Sequence, residues 1–79
     1  MSSGGKYAEE IGLRIQNARK ALGLHQWQLA ALIKRCHNTV SAWENGIFQP
    51  GPSDLIRLEM VLGVSREFLL TGRKVKGGS

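Results

Sequence analysis

The chain predicts an all-α domain of five helices, and three observations carry that expectation. Apolar residues recur at three- and four-residue steps in each periodic segment, the spacing that lines one face of a helix. Gly23, Gly46, Gly63 and Gly72 each follow such a segment, where a glycine just past a helix end adopts the left-handed conformation. No segment alternates apolar and polar residues with the period of two that marks a half-buried strand.

The first helix is predicted from about Ala8 to Leu22. Tyr7, Ile11, Ile15, Ala18 and Leu22 form its buried stripe, and Arg14, Gln16, Asn17 and Lys20 are left to solvent. Helix two spans about Gln26 to Ile33; Leu29, Ala30 and Ile33 share a face, and the small Ala30 lets a neighbouring helix approach closely. Helix three runs from near His37 to near Asn45, with Cys36, Val40, Trp43 and Ile47 on its inner side. Gly51 and Pro52 suit the N-cap and first position of helix four, where Asp54 meets the positive helix end. Leu55, Leu58 and Leu62 supply its stripe. Ser65 then caps a short fifth helix that carries Phe68, Leu69 and Leu70.

Residues 1–6, rich in Ser and Gly, are expected to be a disordered lead, 7–72 the folded domain and 73–79 a flexible basic tail. Seventy-nine residues make one domain, and a chain this short needs efficient helix packing or a partner to be stable. Eleven Lys and Arg against six Asp and Glu give a net charge of +5 and a pI near 10.0, which favours a polyanionic partner.

The composition also excludes several classes. A single cysteine, Cys36, cannot close an internal disulfide and fits a reducing compartment. Cys36, His25 and His37 lack the paired spacing of a structural zinc site, so no metal is expected. The two His, the Cys and Ser41 form no set of base, nucleophile and orienting group, so neither an enzyme nor a cofactor or small-molecule site is expected. No apolar run approaches the roughly 20 residues of a membrane span. The opening MSSGGKY lacks the apolar centre of a signal peptide, and a soluble cytoplasmic protein is expected.

The stretch from Gly23 to Pro50 reads as helix, tight basic turn, helix and stop, the outline of a helix-turn-helix. With Cys36, Val40 and Trp43 turned inward, the helical period turns His37, Asn38, Ser41, Ala42 and Asn45 outward. Solvated helix faces are usually rich in Glu, Lys and Arg; this one offers an imidazole, short amides, a hydroxyl and an alanine. Such groups suit base edges, since Asn can bond two adenine atoms and Ala can rest on a thymine methyl. The same polarity also suits a protein contact. Lys34 and Arg35 in the turn can reach flanking phosphates, and Gln26 at the start of helix two can bond another or act as a local cap.

GLHQWQLA, NTVSAWENG and LGVSREFLLTG together resemble the Cro/CI-type (XRE-like) helix-turn-helix family of phage repressors and bacterial regulators. The resemblance covers about residues 9–72 and implies a compact five-helix, lambda-repressor-like domain whose helices two and three form the DNA reader. It implies base-reading positions at His37, Asn38, Ser41 and Ala42. It implies phosphate contacts at Gln26 and Arg19, to which Lys34 and Arg35 in the turn and Asn45 on the outward face are added as expected phosphate contacts. An ion pair joins Arg19 to Glu44, and a dimer contact involves Ile47, Phe48, Phe68 and Leu70. The implied function is sequence-specific binding of double-stranded DNA by a transcriptional repressor that pairs as a homodimer on a nearly palindromic operator, in association with the nucleoid. Two alternatives stand beside it: an antitoxin-like protein-binding module that also regulates its own operon, and the DNA-binding part of a longer phage repressor.

Three neighbours depart from the family pattern. Lys34 replaces the turn glycine, Arg35 an apolar turn residue, and Cys36 the hydroxyl cap of helix three. Lys34 is therefore expected in a left-handed or altered turn, at about 1 kcal/mol relative to Gly. His25 replaces the hydroxyl cap of helix two, weakening that start by about 1 kcal/mol. Cys36 is expected as a small packed residue; its place at a helix start beside Lys34, Arg35 and His37 would otherwise favour a reactive thiol. For Trp27, packing, stacking on a backbone and plain exposure stay open.

Overall fold

A computed structural model describes residues 5–73. Five helices follow in order, α1 (Gly5–Ala21), α2 (Gln26–Leu32), α3 (His37–Glu44), α4 (Pro52–Leu62) and α5 (Arg66–Thr71), with no strand among the described residues. α1 begins at Gly5, inside the expected disordered lead, because once a helix is nucleated each added residue gains a hydrogen bond. The remainder of that lead and the tail from residue 74 lie outside the described residues.

One core joins all five helices: Ile11 and Ile15 of α1, Leu29 and Ala30 of α2, Ile33 at its end, Val40 and Trp43 of α3, Leu55, Leu58 and Leu62 of α4, and Leu69 of α5. The inward stripes expected for helices two and four are therefore observed. That of α1 is rotated: Ala8, Gly12 and Arg19 are buried, whereas Tyr7 and Leu22 are about half exposed. Leu22 lies beyond the end of α1 at Ala21, so the helical period no longer positions it. Gly12 explains the rotation. A Cβ built there would meet the Trp43 carbonyl oxygen at 2.1 Å and the Glu44 oxygen at 2.9 Å, so only a glycine lets α3 lie against this face of α1.

The ends of α3 correct two further expectations. Cys36 is exposed, because it is the extended N-cap residue (φ −75°, ψ 150°) and precedes the first helical turn. Ile47 is also exposed, because Asn45 ends the helix and Gly46 (φ 75°) turns the chain away. The other caps follow the sequence closely. Gly51 precedes Pro52 at the start of α4, and the Ser65 hydroxyl accepts the Phe68 N–H at 3.0 Å at the start of α5. At α2 the Gln28 side-chain oxygen accepts the His25 N–H at 2.8 Å, tying the helix start together from inside the first turn.

Candidate nucleic-acid interface

α2 and α3 are held as a unit by Leu29, Ala30, Ile33, Val40 and Trp43, all part of the core. The turn between them is closed by Lys34 N–H to Ala31 O at 3.2 Å and Arg35 N–H to Ala30 O at 2.8 Å. Lys34 has φ 60°, the one positive φ at a non-glycine among the described residues, so the turn keeps a left-handed residue although its side chain is not suited to it. From α4, the Arg57 guanidinium donates to the Ile33 carbonyl at 3.2 Å and satisfies an orphan acceptor at the end of α2.

Behind this unit runs a chain of polar contacts. Arg19 donates from Nε to Glu44 Oε2 at 2.6 Å and from Nη2 to Glu44 Oε1 at 2.9 Å, while Nη1 donates to the Leu24 carbonyl at 2.7 Å. Both residues are buried, and the fork-to-fork geometry ties α1, the start of the reader and the end of α3 together. The Glu44 hydrogen bond raises the Arg19 pKa above its usual value; desolvation opposes this, and the charge of Glu44 adds to it. Gln26 then donates from Nε2 to Glu44 Oε1 at 2.9 Å, and its Oε1 lies 2.9 Å from His37 Nε2.

The outward face of α3 is graded. His37, Asn38 and Asn45 are exposed, and Ser41 and Ala42 are half-buried. Asn45 leans back on α3, donating from Nδ2 to the Ser41 hydroxyl at 3.3 Å. Lys34 is exposed beside this face. Arg35 is exposed too, but its Nε lies 3.6 Å from Asp54 Oδ1, so it also braces the turn against the first turn of α4. Sequence reading missed that second role, as the two residues are far apart along the chain. Arg19, expected to touch phosphate as well, has only 7% of its surface exposed and spends all three nitrogens on Glu44 and Leu24.

Of the four residues expected at a dimer contact, Ile47 and Phe48 are exposed in the loop after α3, whereas Phe68 and Leu70 are partly buried and pack against the core. Trp27 is exposed, with its ring stacked on His25 at 6.3 Å between centroids and 9° between planes. No helix among the described residues is long and apolar enough to cross a membrane.

A family model described as helix-turn-helix matches residues 15–69. The chain is 39% identical over 66 residues to the HTH-type transcriptional regulator DicA of Escherichia coli, covering 84% of this chain and 49% of that protein; the chain thus spans about half the length of DicA. The fold superposes on the P22 c2 repressor, solved in complex with a synthetic operator, with a TM-score of 0.77 at 30% identity, covering 80% of this chain and 96% of that one. It superposes on the biofilm regulator SinR, solved in complex with DNA, with a TM-score of 0.72 at 31% identity over 76% of this chain and 97% of that one. Hydroxypropylphosphonic acid epoxidase from S. wedmorenis holds a similar unit in 34% of its length, with a TM-score of 0.74 at 28% identity over 81% of this chain, so the fold by itself does not decide a function. The matched span includes the turn at Lys34, the Arg19–Glu44 pair and the whole outward face of α3, and the chain belongs to the Cro/CI-type (XRE-like) helix-turn-helix family of transcriptional regulators.

Proposed function

We propose that this chain is a sequence-specific, double-stranded DNA-binding unit of a transcriptional repressor, with α3 lying in the major groove. The observation that carries the reading is the outward face of α3: exposed His37 and Asn38 and half-exposed Ser41 and Ala42, flanked by the exposed cations Lys34 and Arg35. Hydrogen-bonding groups without Glu, Lys or Arg in the middle suit base edges, and cations at the edge suit phosphates. Gln26 keeps one amide hydrogen free after bonding Glu44, and that hydrogen is assigned to a phosphate. Asn45, at the far end of the same face, is assigned to the opposite phosphate edge. The P22 c2 repressor and SinR, both solved with DNA, support DNA as the partner by similarity.

Ile47 and Phe48 form an apolar projection on the loop after α3, with Phe68 and Leu70 as the second part of the proposed contact surface. The unit is read as a two-fold dimer on a nearly palindromic site, with half-sites about 10 to 10.5 bp apart or a related spacing. Selection of duplexes from a random pool at stated salt tests the reading. Enrichment of one short, two-fold symmetric site is the expected result; no enrichment over random DNA overturns it. Sedimentation with and without the selected duplex tests the dimer, and a strict monomer on DNA overturns that part.

A further inference from the structure

The Arg19–Glu44–Gln26–His37 chain has one consistent assignment of its protons. A carboxylate gripped by a guanidinium accepts and does not donate, so the Gln26 atom 2.9 Å from Glu44 Oε1 is the amide nitrogen. The Gln26 atom facing His37 is therefore the oxygen, and the His37 Nε2 at 2.9 Å must carry the hydrogen. The other tautomer would set two acceptors against each other, and turning the Gln26 amide over would move the same conflict onto Glu44. The ion pair in the interior thus reaches through Gln26 to decide which ring nitrogen of an exposed histidine is protonated.

Resting on the reading of α3 as the base-contacting helix, we propose that His37 is a specificity-determining residue whose neutral ring presents Nδ1 as an acceptor for the amino group of adenine or cytosine, and whose protonated ring presents a donor for guanine. Among the described residues no protein group bonds Nδ1, and His37 is exposed. A proton from solvent adds at Nδ1 alone, because Nε2 already carries one, so the bond to Gln26 survives the change. The Nδ1 site then matches the N7 and O6 acceptors of guanine instead of the amino donors of adenine N6 or cytosine N4. The groups around the ring are Gln26 from α2, Glu44 and Arg19 behind it from α3 and α1, Ser41 on α3, and Lys34, Arg35 and Cys36 in the preceding turn. Of these only Gln26 is hydrogen-bonded to the imidazole.

Two measurements on the full chain test this. Imidazole ¹⁵N shifts of the free protein at about pH 8, above the usual histidine range, should show hydrogen on Nε2 of His37; hydrogen on Nδ1 overturns the proposal. Duplex selection at about pH 8 and about pH 5.5, on either side of that range, should change the preferred base at one position per half-site from adenine or cytosine to guanine. The change should amount to roughly tenfold in relative affinity, the scale of one good base contact. His37→Gln, which carries no imidazole, should abolish the change and thereby separate it from any contribution of His25. An unchanged preference in the unsubstituted chain, or an equal change in His37→Gln, overturns the role of His37 while the DNA reading stands. Failure to enrich any duplex at either pH, with hydrogen still on Nε2, overturns the DNA reading and this inference with it.

Discussion

Arg19 and Glu44 meet through two parallel hydrogen bonds, 2.6 Å from Nε to Oε2 and 2.9 Å from Nη2 to Oε1, across 25 positions of sequence. The pair clamps α1 to the end of α3, and Glu44 in turn holds the Gln26 amide. Glu44→Gln leaves the guanidinium buried without its counter-charge. A loss of about 3 to 5 kcal/mol is expected in chemical denaturation. Arg19→Met with Glu44→Leu should cost less than the sum of the single changes, since neither leaves a buried charge alone.

The pH dependence of that pair on its arginine side follows from the raised Arg19 pKa. A cation whose folded value lies above its unfolded one stabilises fully below the unfolded value and loses that stabilisation as pH rises through the folded one. Both values lie in the strongly alkaline range. Denaturation between about pH 6 and 9 should therefore show no slope from Arg19, and the Arg19→Met, Glu44→Leu chain, which leaves neither charge buried alone, should run parallel to the unsubstituted one there.

Gly12 makes a test in which local preference and tertiary packing predict opposite signs. By helix propensity alone, Gly12→Ala would stabilise α1 by about 1 kcal/mol. The added methyl would lie 2.1 Å from the Trp43 carbonyl oxygen, so α1 and α3 must separate. A net loss of at least about 1 to 3 kcal/mol is expected in urea denaturation, the range for overpacked interiors.

Lys34 separates stability from binding. Lys34→Gly relieves a left-handed residue at φ 60° and should raise stability by up to about 1 kcal/mol. It should at the same time weaken DNA binding, because the exposed ammonium is lost. Melting and binding assays on the one variant should move in opposite directions.

Asn38 and Lys34 differ in the kind of affinity they supply. Asn38→Ala should cost about 1 to 3 kcal/mol on the selected site and relax preference at one base pair. Lys34→Ala should weaken binding to selected and random duplexes alike and lower the salt slope by about 1. Equal losses on both kinds of DNA for Asn38→Ala would remove it from the base-reading set.

Most of the architecture was legible without coordinates. α2, α3 and α4 begin where the caps and the Pro52 signal said, and four left-handed glycines stand where the periodic segments stop. These are local properties, written within one helical turn. Three of the misjudged residues lie where the helical period lapses, Cys36 at an N-cap, Ile47 past Gly46 and Leu22 past the end of α1; Tyr7, inside α1, was misplaced by the rotation of that helix about Gly12.

What sequence alone determined is the set of helices, the inward stripes of α2 and α4 and the identity of the groups on the outer face of α3, because each depends on neighbours three or four positions away. The family resemblance added the Arg19–Glu44 pairing. Tertiary structure decided how those parts constrain one another: Gly12 as the gap that admits α3, Asp54 as the brace for Arg35, and Gln26 as the link from a buried ion pair to the His37 ring. These relations join atoms 11 to 32 positions apart, and their physical basis is steric fit and hydrogen-bond direction, neither of which leaves a periodic trace along the chain.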